Sequence, residues 1–179
     1  FRSTARVLYE DVGLEQVAPQ VRVPLENFRF GAQYGCHYLK PSEIFDGFDD
    51  PEVPRTLDEL IAVTGAEAVD YTTKLECCGG GLLAMDEEVA LAMPYAKLHE
   101  LSEAKVDAMV LVCPFCDIMY EYNQRRIGRA FDDRLQLPVL FYPQILGLAL
   151  GIPPDELGFR LNRVKSRGLM KKLDALQPA

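Results

Sequence analysis

Long apolar runs are absent from this sequence. The strongest, residues 108–113, falls far short of the roughly 20 residues needed to cross a bilayer, so no direct membrane insertion is expected. A secretory leader is absent too: the first ten residues carry three charges and no apolar segment. There is no P-loop, no Gly-x-Gly-x-x-Gly fingerprint and no Gly-x-Ser-x-Gly elbow, which leaves nucleotide binding and serine hydrolysis unsupported. Positive charge is in deficit, with 19 Lys and Arg against 27 Asp and Glu, so a nucleic-acid partner is not expected at a net charge of −8. EF-hand spacing is missing, and Asp46, Asp49 and Asp50 read instead as a capped acidic loop.

Cysteine is scarce, and its odd count of five argues against a fully paired disulfide framework. With 179 residues, 49% of them hydrophobic and 26% charged, the chain can bury a core large enough to fold as one domain without staples. A reducing, cytoplasmic setting is expected, where cysteines serve as metal ligands or redox groups.

What is present is one constellation that uses every cysteine: Cys36, the adjacent pair Cys77 and Cys78 running into Gly79, Gly80 and Gly81, and the C-x-x-C pair Cys113 and Cys116 around Pro114 and Phe115. The surrounding pattern alternates strands with helices. Residues 4–17 read as a helix with Val7, Leu8, Val12 and Leu14 on one face, and Pro19 and Pro24 mark a connector. Residues 28–34 form a first strand that delivers Cys36 at its tip. Thr56, with Glu59 three residues on, predicts a capping box opening a helix that Gly65 stops. A short second strand over 68–71 leads to the Cys77–Cys78 turn, and a long helix is predicted over 82–104, disturbed at Pro94. The continuous apolar run 108–112 is the mark of a strand buried on both faces; it delivers Cys113, and Pro114 opens a helix continuing through 118–126. A fourth strand spans 138–142, and a last core helix covers 144–150. This order predicts an α/β fold of about four mostly parallel strands with flanking helices, the cysteines gathered at the strand C-terminal edge where ligands collect in such sheets.

Thiolates are soft ligands suited to zinc, copper(I) and iron–sulfur clusters. One zinc takes four ligands, usually from two C-x-x-C knuckles, and here there is one knuckle, an adjacent pair and a lone cysteine. Two neighbouring cysteines bind a single ion only with a strained turn, but readily serve two irons of one cluster. The C-x₂-C-x₂-C run of ordinary cubane ferredoxins is absent. The glycines would let backbone approach such a group, permit positive φ and aim N–H donors at its sulfurs. Thioredoxin-like exchange through Cys113 and Cys116 would leave Cys77 and Cys78 without a role.

These residues resemble the CCG motif, a lone cysteine, an adjacent pair and a C-x-x-C. Forty residues separate Cys36 from Cys77, one beyond the motif's usual first spacing, and 34 separate Cys78 from Cys113, inside the second. The words Tyr34-Gly35-Cys36-His37, Gly47-Phe48-Asp49-Asp50-Pro51, Leu75-Glu76-Cys77-Cys78-Gly79-Gly80-Gly81 and Cys113-Pro114-Phe115-Cys116 are similar to the C-terminal half of the two-motif, CCG-bearing subunit of heterodisulfide reductase. Val7-Leu8-Tyr9-Glu10-Asp11 is similar to the helix entering that half. The resemblance covers nearly the whole chain. It implies Cys36, Cys77, Cys78, Cys113 and Cys116 as ligands of a non-cubane 4Fe-4S cluster. It also implies an oxidoreductase subunit in which two tandem motifs cleave a disulfide between them, with electrons arriving from partner subunits. The chain has one motif, so a second CCG domain is expected from a missing first half or another chain, and the isolated domain is expected to be inactive. The abrupt start, without methionine or a preceding strand, reads as a cut edge.

The rival reading is a four-cysteine zinc domain serving assembly without catalysis of its own, and zinc is expected in aerobically prepared protein. The division that follows is 1–27 as N-terminal helix and connector, 28–160 as the cysteine-rich CCG domain and 161–179 as a basic C-terminal tail. The basic cluster Arg160, Arg163, Lys165, Arg167, Lys171 and Lys172 reads as a solvated helical tail, with a docking surface for an acidic partner as the minority reading. His37, beside Cys36, reads as a loop histidine or a sulfur and proton partner, and His99 as a solvent-facing helix residue. Glu76 reads as a surface carboxylate or a tuner of the site's charge. Met85, Met93, Met109 and Met119 read as packing.

Overall fold

A computed structural model describes residues 2–165 and 167–176; residues 1, 166 and 177–179, which fall in the two terminal segments expected from the sequence, lie outside it. Four strands form one all-parallel sheet: β1 (Arg29–Gln33), β2 (Glu67–Val69), β3 (Ala108–Leu111) and β4 (Val139–Phe141), in the order β2-β1-β3-β4. Gly31 pairs with both Val69 and Met109, and Val110 pairs with both Ala32 and Leu140. The chain leaves β1 towards β2, then crosses back to β3 on the other side. The topological switch point therefore lies between the C-terminal ends of β1 and β3, which is where an open parallel sheet leaves a crevice.

The helices are α1 (Thr4–Arg6), α2 (Leu14–Val17), α3 (Cys36–Leu39), α4 (Thr56–Ala62), α5 (Glu87–Glu103), α6 (Pro114–Asp117), α7 (Gln124–Ala130), α8 (Tyr142–Ala149) and α9 (Arg167–Leu176). Side chains alternate along each strand and so feed two cores. Phe30, Ala32, Ala108 and Val110 pack against α4, α8 and α9 on one face, with Leu57, Ile61, Ile145, Leu169 and Leu173. Met109, Leu111 and Val139 pack against α5, α7 and the segment after α6 on the other, with Leu98, Leu101, Met119 and Ile127. Every residue of β3 is buried, as its unbroken apolar run requires.

Local chemistry shifts several boundaries. The first helical region holds, but as α1, a π-helical stretch Val7–Val12 and α2 beyond Gly13, whose φ is 85°. Thr56 does not cap α4. It is the first helical residue, and the Asp49 carboxylate, seven residues earlier, accepts from the Thr56 amide (3.0 Å), the Thr56 hydroxyl (2.6 Å) and the Arg55 amide. Glu59 instead accepts the Tyr9 hydroxyl at 2.6 Å. Helix α5 begins at Glu87 rather than 82, because Asp86 caps it through the Val89 amide, and it runs through Pro94 to Glu103. Met85 is 83% exposed, not core, since it lies in the turn before that cap. The helix after Cys116 is interrupted by a π-helical turn, Ile118–Tyr122, and Asn123. Helix α9 is amphipathic rather than wholly solvated: Leu169 and Leu173 are buried, and Lys172 donates to Asp107 (2.7 Å) and the Asn27 carbonyl.

Candidate metal centre

Each cysteine group follows a strand. Cys36 opens α3 three residues beyond β1, Cys77 and Cys78 lie in the loop after β2, and Cys113 caps α6 two residues beyond β3. Cys36 and Cys113 thus come from the two strands that flank the switch point. All five thiols are free; Cys78 and Cys116 are buried, Cys113 partly so, and Cys36 and Cys77 are exposed.

Interaction with the Cys116 thiol lowers Cys113 to about 5 and Cys78 to about 6. Burial works against both shifts, while the Cys116 and Phe115 amides assist Cys113 and the Gly80 amide assists Cys78. Cys116 is pushed far up by the same two neighbours, Cys113 and Cys78, and by its own burial. Burial raises Cys36, and the nearby Cys77, Cys78 and Cys113 raise it further. Cys78, Cys113 and Cys116 thus lie within electrostatic reach of one another, and Cys36 within reach of Cys77, Cys78 and Cys113. Among the described residues, no three His, Cys, Asp or Glu side chains are assembled as a single-ion site.

Glycines shape the surround. An added Cβ at Gly35, where φ is 75°, would lie 3.3 Å from both the Cys113 Cβ and the Cys116 sulfur. Gly79, with φ of 77°, makes the left-handed turn after the cysteine pair, and its amide donates to the Cys77 sulfur at 3.4 Å. Tyr34 ties the end of β1 to α4: its hydroxyl donates to Asp58 (2.6 Å) and accepts from the Leu57 and Asp58 amides.

Two features escape a reading of the sequence. Lys97 is fully buried beneath the cysteines, donating to the Gln33 side-chain oxygen (2.5 Å) and to the carbonyls of Lys74 (3.0 Å) and Glu76 (2.9 Å). Burial pulls this ammonium down to about 8 against the opposing pull of Cys116, Glu76, Cys78 and Cys77. A signal exists: Ala90, Pro94, Lys97 and Leu101 form one buried stripe of α5, and a lysine in an apolar stripe is an anomaly. Tyr120 is the second: its buried hydroxyl has no partner, and burial, with Cys78 and Cys116 nearby, raises it well above its ordinary value. His37 is exposed, and His99 faces solvent, 3.1 Å from Asp133.

The donor set fits an anionic, multi-iron group. Five soft thiols exceed what one ion takes, and a buried ammonium and an unpartnered hydroxyl lie within their electrostatic reach. Exposed apolar side chains rim the site, Leu75, Leu82, Phe115 and Ile118 among them. A surface hollow of about 820 Å³ between α7 and residues 163–165 includes none of the cysteines.

A family model described as a cysteine-rich domain, CCG, matches residues 30–121. A subunit of the ferredoxin:CoB-CoM heterodisulfide reductase of Methanosarcina mazei is 37% identical over 97% of this chain and 60% of its own length. A heterodisulfide reductase subunit-like protein of Archaeoglobus profundus is 35% identical over 87% of this chain and 53% of its own. The 8-methylmenaquinol:fumarate reductase membrane anchor subunit of Wolinella succinogenes is 29% identical over 87% of this chain and 55% of its own. The chain therefore spans about 53–60% of the length of these curated relatives. A crystal structure of a hypothetical protein from Helicobacter pylori shares the fold, with a TM-score of 0.61 at 18% identity over 87% of this chain and 28% of that one. No helix among the described residues is long and apolar enough to cross a membrane.

Proposed function

The chain belongs to the CCG cysteine-rich domain family, and from that premise we propose that it is the iron–sulfur electron-transfer domain of a heterodisulfide reductase-like subunit. In this reading Cys36, Cys77, Cys78, Cys113 and Cys116 hold a non-cubane 4Fe-4S cluster, and residues 28–160 are the working unit between the terminal segments 1–27 and 161–179. The observation that supports it is the buried ammonium of Lys97, which donates to the Glu76 carbonyl beside Cys77 and to Gln33, whose amide in turn donates to the Cys116 sulfur at 3.6 Å.

Bound there, the cluster would supply one-electron transfer to a disulfide-type substrate. Cleaving that substrate takes two electrons and two protons and yields two thiols, so partner subunits must deliver the electrons. The protein's own residues have separable tasks. Cys78, Cys113 and Cys116 hold the buried side of the group. The Gly79 amide and the Gln33 side-chain amide offer N–H donors to cysteine sulfurs, which disperses negative charge. Exposed Cys36 and Cys77, ringed by Leu75, Leu82 and Phe115, form the face on which partner subunits and a second CCG domain would dock.

The test is iron and acid-labile sulfide content of protein made and kept without oxygen, with its electron paramagnetic resonance spectrum. About four irons and four sulfides per chain, with a spectrum unlike a cubane cluster, is the expected result. One zinc and no sulfide, even after anaerobic reconstitution with iron, would leave a structural metal domain and remove the electron-transfer claim.

A further inference from the structure

Lys97 holds all three of its donors on acceptors that belong to cysteine-bearing segments. Gln33 ends β1, three residues before Cys36, and Lys74 and Glu76, whose carbonyls accept, lie three residues and one residue before Cys77. Burying an ammonium costs several kcal/mol unless charge and hydrogen bonds compensate, and an apolar side chain would suit the buried stripe of α5 better. The charge is thus retained against its cost at one place, under the thiols.

The Gln33 amide gives the arrangement a direction. Its oxygen faces the Lys97 ammonium, so its N–H₂ faces the other way, 3.6 Å from the Cys116 sulfur. Turning the amide over would set N–H₂ against ammonium and oxygen against sulfur, two repulsive contacts in place of two attractive ones. Lys97 therefore selects the amide orientation that serves Cys116.

We propose that Lys97 and Gln33 form a positioning pair for the cluster site: Lys97 pins the 74–76 backbone that presents Cys77 and Cys78 and orients Gln33, and Gln33 donates to the Cys116 sulfur. Neither residue touches substrate. The pair stabilises the more negative, reduced state of whatever the thiols hold, because positive charge and N–H donors at the sulfurs raise a cluster's potential. This rests on the cluster reading above.

The test separates the two. In metal-free protein, hydrogen exchange followed by mass spectrometry over residues 74–80 should run at least tenfold faster in Lys97→Met, since the freed carbonyls no longer hold the loop. In reconstituted protein, Gln33→Glu should bind iron and keep the loop protected, because a carboxylate still accepts from Lys97. Its potential should nevertheless fall, shifting the reduced-to-oxidised ratio at fixed potential at least tenfold, about 59 mV for one electron. Unchanged loop exchange in Lys97→Met, or an unchanged potential in Gln33→Glu, overturns the proposal. Should the wild-type chain bind no iron at all, the cluster reading falls, and the exchange measurement still decides what Lys97 does.

Discussion

An added methyl group at Gly79 would lie 2.5 Å from the carbonyl oxygen of Ala90, in helix α5. Gly79 combines this contact with φ of 77°, whereas Gly81, two residues on, has nothing within 4 Å of the same imagined atom. Gly79→Ala should therefore cost about 1–3 kcal/mol from the left-handed backbone alone, with the clash adding to it. Gly81→Ala should stay within about 0.5 kcal/mol of the parent. Urea unfolding of both variants checks this, and equal losses would contradict it.

Asp49 accepts four hydrogen bonds from Arg55 and Thr56 at the start of α4. Asp49→Ala should destabilise by about 1–2 kcal/mol, the range of a lost N-cap. Asp49→Asn should cost less, since an amide oxygen still accepts from the Arg55 and Thr56 amides. Denaturation midpoints of the two variants check this order, and no loss in Asp49→Ala would contradict the Asp49 cap.

Glu100 anchors the loop before the cysteine pair, accepting from the Thr72 amide (2.6 Å), the Thr73 amide (2.9 Å) and the Thr73 hydroxyl (2.7 Å). Burial resists its ionisation, but these bonds prevail and hold the carboxyl at about 2, below its ordinary 4.5. A depressed carboxylate contributes stability that is complete above its unfolded value and lost as pH falls through the folded one. Glu100→Gln should thus be less stable than the parent by about 1–2 kcal/mol at pH 7, after allowance for screening. That gap should narrow from pH 4.5 towards 2. Unfolding midpoints across that acidic range and at neutral pH read it directly; a gap constant throughout would contradict the assignment.

Cys78 is the buried member of the adjacent pair. Cys78→Ser should leave the chain folded and lower both iron and sulfide per chain after anaerobic reconstitution, with the remaining cluster lost faster in air. A zinc site of four cysteines would tolerate the change. Unaltered metal content and redox behaviour in Cys78→Ser would remove the five-ligand reading.

The sequence by itself determined the alternation of strands and helices and the membership of the cysteine set. Those signals are local: the apolar run of β3, the proline opening α6 and the spacing of five thiols each rest on neighbours in the chain. The parallel α/β sheet followed because every strand pair is bridged by a helical segment. Tertiary structure alone decided which of several equivalent residues carry the site. Gly79, Gly80 and Gly81 are alike in sequence, and only the left-handed backbone of Gly79 and its packing against Ala90 set it apart. Thr56 and Glu59 have capping-box spacing, yet Asp49 reaches the helix end first, across a loop whose path no local pattern encodes. Met85 is drawn to the surface by the Asp86 cap, and Lys97 is drawn into the core because its acceptors, Gln33, Lys74 and Glu76, come from segments 64, 23 and 21 residues away. Long-range hydrogen bonds and excluded volume, which join residues distant in the chain, settled these choices.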